Sequence, residues 1–221
     1  MKRSRQYALA ALLAALPALW AFGGGWAVVT VEHLPEYAVA GQPLTLTFTV
    51  RQHGEEPMSG LKPRLEARFD GREVSALAAP TREAGQYVAS LTLPSPGDWR
   101  IKIGSGYGQS GLTLMPVRTV APGAPAPVAL AAAERGEQLF VAKGCVACHT
   151  KAGIEGAVGK VGPELSGKRF ETAFLAKFLT DPASAGPPRY GNFPMPNLRL
   201  KQQEVAALSA FLNREAQVGL R

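Results

Sequence analysis

The run Val120-Ala121-Pro122-Gly123-Ala124-Pro125-Ala126-Pro127 most constrains what this chain can fold into. Its prolines remove backbone donors and fix φ, and its other side chains are too small to build a core, so it reads as an extended, semi-stiff connector. It divides 221 residues into two stretches with different periods. Before it, Leu44-Thr45-Leu46-Thr47-Phe48-Thr49-Val50-Arg51 alternates apolar and polar as a half-buried strand does. Further β-like runs are Ala27–Val31, Leu65–Phe69, Gln86–Leu93, Trp99–Ile103 and Gly111–Met115, separated by turn residues such as Asp70-Gly71 and Pro94-Ser95-Pro96-Gly97-Asp98. Six or seven short strands with no helical stretch predict an antiparallel, immunoglobulin-like sandwich over residues 24–115. Residues 116–130 are assigned to the linker. After it the period is helical over Ala131–Ala142, Glu171–Thr180 and Lys201–Glu215, which predicts an all-α domain over 131–221. The expected fold class is thus multidomain, all-β followed by all-α. The last helix opens on Leu200-Lys201-Gln202-Gln203 with no Ser, Thr or Asp cap, so its start is expected to fray.

The chemistry is concentrated in Cys145-Val146-Ala147-Cys148-His149. Two thiols three positions apart can each add across a haem vinyl group, and the following imidazole then meets the iron. Two blander readings compete. A thioredoxin-like dithiol would open a helix after a strand in a βαβ pattern, and none is visible. A zinc site would need two more Cys or His near by, and after His53 the chain has no Cys or His outside this motif. One covalent haem c on Cys145 and Cys148, with His149 as axial ligand, is the favoured reading.

From these residues onward the chain resembles the class I cytochrome c family over about 130–221. Gly162-Pro163-Glu164-Leu165 matches the family's Gly-Pro-x-Leu turn, in which the proline carbonyl, here that of Pro163, accepts a hydrogen bond from the proximal imidazole. Pro163 and Leu165 are therefore counted among the cofactor-binding residues. The resemblance also implies that Gly136 and Phe140 cross the last helix against Phe211. The distal ligand is expected to be Met195, in Phe193-Pro194-Met195-Pro196-Asn197, because no other Met or His stands in this half after His149. His/Met ligation leaves no open iron position and implies an electron carrier rather than an enzyme, alone or as a subunit of a larger oxidoreductase. Residues 26–115, with Tyr37–Phe48, Gly85-Gln86-Tyr87 and Gly97-Asp98-Trp99, resemble the YtkA-like family of exported β-sandwich domains. Those motifs are turns and strands, so the resemblance implies fold far more than function.

The N-terminus adds a compartment. Lys2, Arg3 and Arg5 precede an uncharged apolar run from Tyr7 to Phe22, then Ala21-Phe22-Gly23 offers small residues for cleavage. A cleaved export signal over residues 1–23 is favoured over an uncleaved membrane anchor, and either places the remainder in the periplasm or at the outer face of the inner membrane. The charge of +7 falls to about +4 for residues 130–221 and to roughly +2 with two haem propionates, which argues against nucleic acid as partner. Respiratory complexes, oxidases or other cytochromes are the expected redox partners, with the sandwich as docking module and the two halves electronically independent. In the sandwich, His33, His53 and Met58 raise the alternative of a copper-handling or oxidase-assembly factor, but the histidines are twenty residues apart and read as surface.

Overall fold

A computed structural model describes residues 25–157, 159, 161–185 and 194–214. The expected export signal and the end of the last predicted helix at Glu215 lie outside the described residues. Among those described, no helix is long and apolar enough to cross a membrane.

The N-terminal half is two facing sheets. One holds β1 (Ala27–Val31), β3 (Pro43–Gln52), β8 (Gln86–Thr92) and β7 (Ala79–Pro80) in that order, with β4 (Glu56–Pro57) paired to β3. The other runs β2 (Ala38–Val39), β11 (Val117–Val120), β9 (Gly97–Gly104), β5 (Arg64–Phe69), β6 (Arg72–Leu77), with β10 (Gly111–Thr113) paired to β9. All pairs are antiparallel except β2 with β11. Alternation turns Leu44, Leu46 and Phe48, Tyr87, Ala89 and Leu91, and Trp99, Ile101 and Ile103 inward. The polar tips of the two largest aromatics in this core are satisfied: Trp99 Nε1 donates to Ser95 O (2.9 Å), and Tyr87 Oη donates to Met58 O (2.7 Å) while accepting from Leu61 N–H (3.0 Å).

Besides the two-residue strands β2, β4 and β7, two longer strands depart from the sequence expectation. β6 follows the Asp70-Gly71 turn, where both residues have positive φ (48° and 71°), the geometry of a tight hairpin. It is an outer strand exposed on most residues, so it carries no alternating apolar signal. β11 begins inside the segment assigned to the linker. Val117 and Thr119 are buried and pair across to Trp99 and Gly97, so the connector itself starts at Ala121.

The helical half contains α1 (Ala132–Ala142), α2 (Thr172–Thr180) and α3 (Gln202–Asn213). α1 crosses α3 at Gly136, where an added Cβ would lie 2.0 Å from Ala207 O, so only glycine permits this approach. Phe140 meets Phe211 one turn on, with ring centroids 5.5 Å apart. α2 buries Leu175 and Leu179, and Asn213 fixes the segment before it by exchanging hydrogen bonds with Phe170 N–H (2.8 Å) and C=O (2.9 Å). α3 does not lack a cap: Glu204, three residues in, accepts from Lys201 N–H (3.0 Å). A polar cap from Ser, Thr or Asp is replaced by the reciprocal half of a capping box.

The halves are not independent. All five residues of β1 are buried, although it is the terminal strand of its sheet. Ala27, Val29 and Val31 face the sandwich core, while Val28 and Thr30 face the helical half. Thr30 Oγ1 donates to Lys143 O (3.4 Å). Lys143 Nζ donates to Glu32 O (2.8 Å) and pairs with Glu204 Oε1 (2.8 Å), its side chain only 3% exposed. From α1, Arg135 donates to the carbonyls of Leu34 and Pro35. Carbonyls past the end of β1 thus take cations from the helical half, and the picture of two halves held apart by a stiff connector is replaced by a built seam.

Candidate functional site

The attachment motif is shaped by one glycine. Gly144, at φ +77°, ends the turn after α1, and Cys145–Ala147 then form a single 3-10 turn. Ala147 N–H donates to Gly144 O (3.0 Å), while Cys148 N–H (3.1 Å) and His149 N–H (2.9 Å) both reach Cys145 O. In a 3-10 turn, positions three apart eclipse one another, so Cys145 and Cys148 present their thiols on one side. Both are half-buried and free. Burial is the main force on each thiol: Cys145, with the charge of Cys148 also acting against ionisation, is pushed up to about 12, and Cys148 is also raised. A dithiol oxidoreductase depends on the opposite, a thiol with lowered pKa. Among the described residues no group of three His, Cys, Asp or Glu could hold a metal ion, so the zinc reading finds no further ligands there.

His149 is oriented from two sides. Its Nδ1 lies 2.9 Å from Pro163 O. A carbonyl can only accept, so Nδ1 carries the proton and Nε2 keeps its lone pair free for a metal. Gly162 lies against the ring: an added Cβ would be 2.4 Å from Cε1 and 2.6 Å from Nδ1. Burial lowers the pKa of the imidazole, the Pro163 bond opposing and the Lys168 charge assisting, which favours the neutral form a ligand needs.

The loop segments on either side of this contact are stitched together. Gly162 N–H donates to Cys148 O (2.8 Å) and Leu165 N–H to Thr150 O (2.9 Å), with the Leu165 side chain buried. Glu164 accepts from the Thr150 hydroxyl and the Ser166 hydroxyl and N–H, and Ser166 Oγ accepts from Ala152 N–H (2.6 Å). The Ser166 and Thr150 hydrogen bonds hold the exposed Glu164 carboxylate down to about 2. Gly159 closes on the same loop, since a Cβ there would lie 2.3 Å from Ala147 O. The clamp of Glu164, Thr150 and Ser166 was not read from sequence; a carboxylate and two hydroxyls in polar loops carry no periodic signal.

Met195 stands on a separate loop. It is half-buried and packs against the hydrophobic core. Asn197 Nδ2 ties this loop to α2 through Thr180 O (3.3 Å), and Asn197 Oδ1 accepts from Arg199 N–H (2.9 Å). The structure therefore brings Cys145, Cys148, His149 and Pro163 together, buries Leu165 two residues after Pro163, and leaves Met195 half-buried on a loop of its own. His33 and His53 are not brought together. His53 N–H bonds Trp26 O at one end of β1 and His33 follows its other end, about 20 Å away at 3.3 Å per residue.

These residues fit a covalent haem. Two thiols share one side of a turn, an imidazole presents Nε2, and the glycine beside it leaves no side chain to displace the ring.

No curated protein matches the chain. Among solved structures, a β-glucosidase from Listeria innocua in complex with glucose is 14% identical with a TM-score of 0.32, covering 43% of this chain, which spans only 16% of the glucosidase's length. A superoxide reductase (neelaredoxin) from Ignicoccus hospitalis is 16% identical with a TM-score of 0.30, over 44% of this chain and 82% of its own. Scores this low carry no argument. The Cytochrome c family model matches residues 133–214, a stretch that spans α1, the attachment motif, α2, Met195 and α3. The helical half of this chain is a cytochrome c domain.

Proposed function

We propose that this protein is an exported one-electron carrier with a single haem c, attached through Cys145 and Cys148 and ligated by His149 and Met195. The observation that carries the reading is the His149 Nδ1 to Pro163 O contact of 2.9 Å beside Gly162, which fixes the ring with Nε2 free. When bound, the haem supplies an iron that gains or loses one electron without bond rearrangement. The chain's own residues orient the ligands, hold the attachment loop closed through Glu164, and exclude water with Val146, Leu165, Leu175 and Leu179. A low dielectric around the centre and a rigid ligand set keep reorganisation small during transfer.

Periplasmic location follows in this reading from the basic-apolar N-terminus and from the chemistry of c-type attachment. Redox proteins, such as a respiratory complex, an oxidase or another cytochrome, are the proposed partners, and the sandwich contributes to docking. Pyridine haemochrome analysis of acid-extracted protein tests the core of the reading: one covalent haem per chain is expected. Haem recovered free in the extract refutes it. Cys145→Ser with Cys148→Ser should abolish covalent attachment.

A further inference from the structure

We infer that the β-sandwich is a working part of the haem centre: through Val28 on β1 and the turn after β3 it holds the Met195 loop in register with the attachment motif, and so sets how firmly the distal position is closed. This rests on the His149/Met195 reading above.

Val28 lies between the two loops that flank the site. On one side, a Cβ at Gly144, directly before Cys145, would lie 2.8 Å from Val28 Cγ1 and 2.6 Å from Val29 O. On the other, a Cβ at Gly54 would lie 3.6 Å from Val28 Cγ2 and 3.9 Å from Pro196 Cγ, and Pro196 directly follows Met195. A second link runs through Lys143, whose ammonium joins Glu32 O of the sandwich to Glu204, which caps the helix that follows the Met195 loop. A third, Arg135 on the Leu34 and Pro35 carbonyls, fixes the angle at which α1 meets the sandwich.

The loop needs such support. Residues 194–201 form no helix or strand, and Arg199 sits at φ +51°, a conformation L residues rarely adopt. Among the described residues of the helical half, Asn197 ties this loop to Thr180 and to Arg199 N–H, and Glu204 ties its end at Lys201. Segments with few fixed contacts open locally at low cost, and a ligand is held to useful precision only when its surroundings are locked by packing. The contact also carries a buried ion pair, Lys143 with Glu204, whose ammonium is completed by a sandwich carbonyl, and a buried charge persists only where such partners hold it.

The test uses the full-length, haem-loaded protein with two substitutions outside the haem-contacting residues, Val28→Ala and Arg135→Gln. Ferric protein is titrated with imidazole, which competes with the Met195 sulfur, while the sulfur-to-iron charge-transfer absorption is followed. Hydrogen exchange of the backbone amides in 195–201 is measured in parallel. Val28→Ala should bind imidazole about fivefold tighter and exchange faster in 195–201. Arg135→Gln should shift both in the same direction, about twofold. Parent-like imidazole affinity and parent-like exchange in both variants overturn the inference. If the parent lacks the charge-transfer absorption, the Met195 ligation fails instead, and exchange, which needs no sulfur-iron bond, still decides whether the sandwich holds the loop.

Discussion

Lys143→Met is the sharpest test of the seam. Its ammonium lies 2.8 Å from Glu204 Oε1, with side-chain exposures of 3% and 11%. At that separation and an effective dielectric near 20, the attraction is about 6 kcal/mol. Desolvation of two ions, several kcal/mol each, offsets most of it, so the intact pair adds little net stability. Removing one partner is a different matter, because Glu204 then stays buried without its ammonium, left with the Lys201 N–H and the charge of Arg135. The single substitution should cost about 3–5 kcal/mol in urea denaturation of the haem-loaded chain, read by circular dichroism and haem absorption together. Lys143→Met with Glu204→Gln, which keeps the cap acceptor and removes the charge, should recover all but about 1 kcal/mol. A single-variant cost below about 1 kcal/mol would make this an ordinary exposed pair and refute the burial argument. A double variant as unstable as the single would place the loss in the Glu32 carbonyl link instead of in the stranded carboxylate.

Met195→Ala should abolish the sulfur-to-iron charge-transfer band, lower the reduction potential and admit carbon monoxide to ferrous iron; an unchanged spectrum means another distal ligand. Gly162→Val places a Cβ 2.4 Å from His149 Cε1, so the yield of covalently loaded, low-spin protein should fall steeply, as measured by haemochrome and electron paramagnetic resonance. Limited proteolysis should cut between Ala121 and Ala131, where Val128 is 94% exposed, yet the two fragments should co-elute in gel filtration because the seam holds them; separation of native fragments would contradict the packing. Glu164 has a depressed pKa, so its contribution is complete above about pH 4.5 and lost as pH falls towards about 2. Glu164→Gln should therefore differ from the parent in stability above that window and converge with it below, as followed by acid titration of the haem spectrum.

Much of this was legible in the sequence because it rests on period and spacing. The alternation of Leu44–Arg51 became β3, and the stripes of Phe174, Leu175, Phe178 and Leu179 and of Val205, Leu208, Phe211 and Leu212 became α2 and α3. Gly136 and Phe140 meet the last helix at Ala207 and Phe211 because helical geometry puts residues four apart on one face. The Pro163 carbonyl contact was anticipated from the turn it belongs to. What escaped were features set by long-range contact. β11 forms because β9, at Trp99 and Gly97, and β2, at Ala38 and Val39, take it between them. The seam uses carbonyls of Glu32, Leu34 and Pro35, which any sequence would supply, and cations whose destination no local pattern records. Val28 and Thr30 read as the second face of an ordinary strand until the helical half is seen to cover them.

That covering has a consequence for the sandwich alone. A terminal strand normally presents open backbone to any passing chain and is protected by charge, proline or brevity. β1 reads Ala-Val-Val-Thr-Val and has none of these on its five residues. Ser110 Oγ takes the Ala27 N–H, and the helical half covers the rest: Gly144 over Val28 and Val29, and Lys143 over Thr30 and Glu32. Stripped of residues 131–221, the sandwich would keep its core but expose a sticky β edge, and self-association through β1 is the fate to expect of it. The cytochrome half thus acts towards its neighbour as a built-in chaperone.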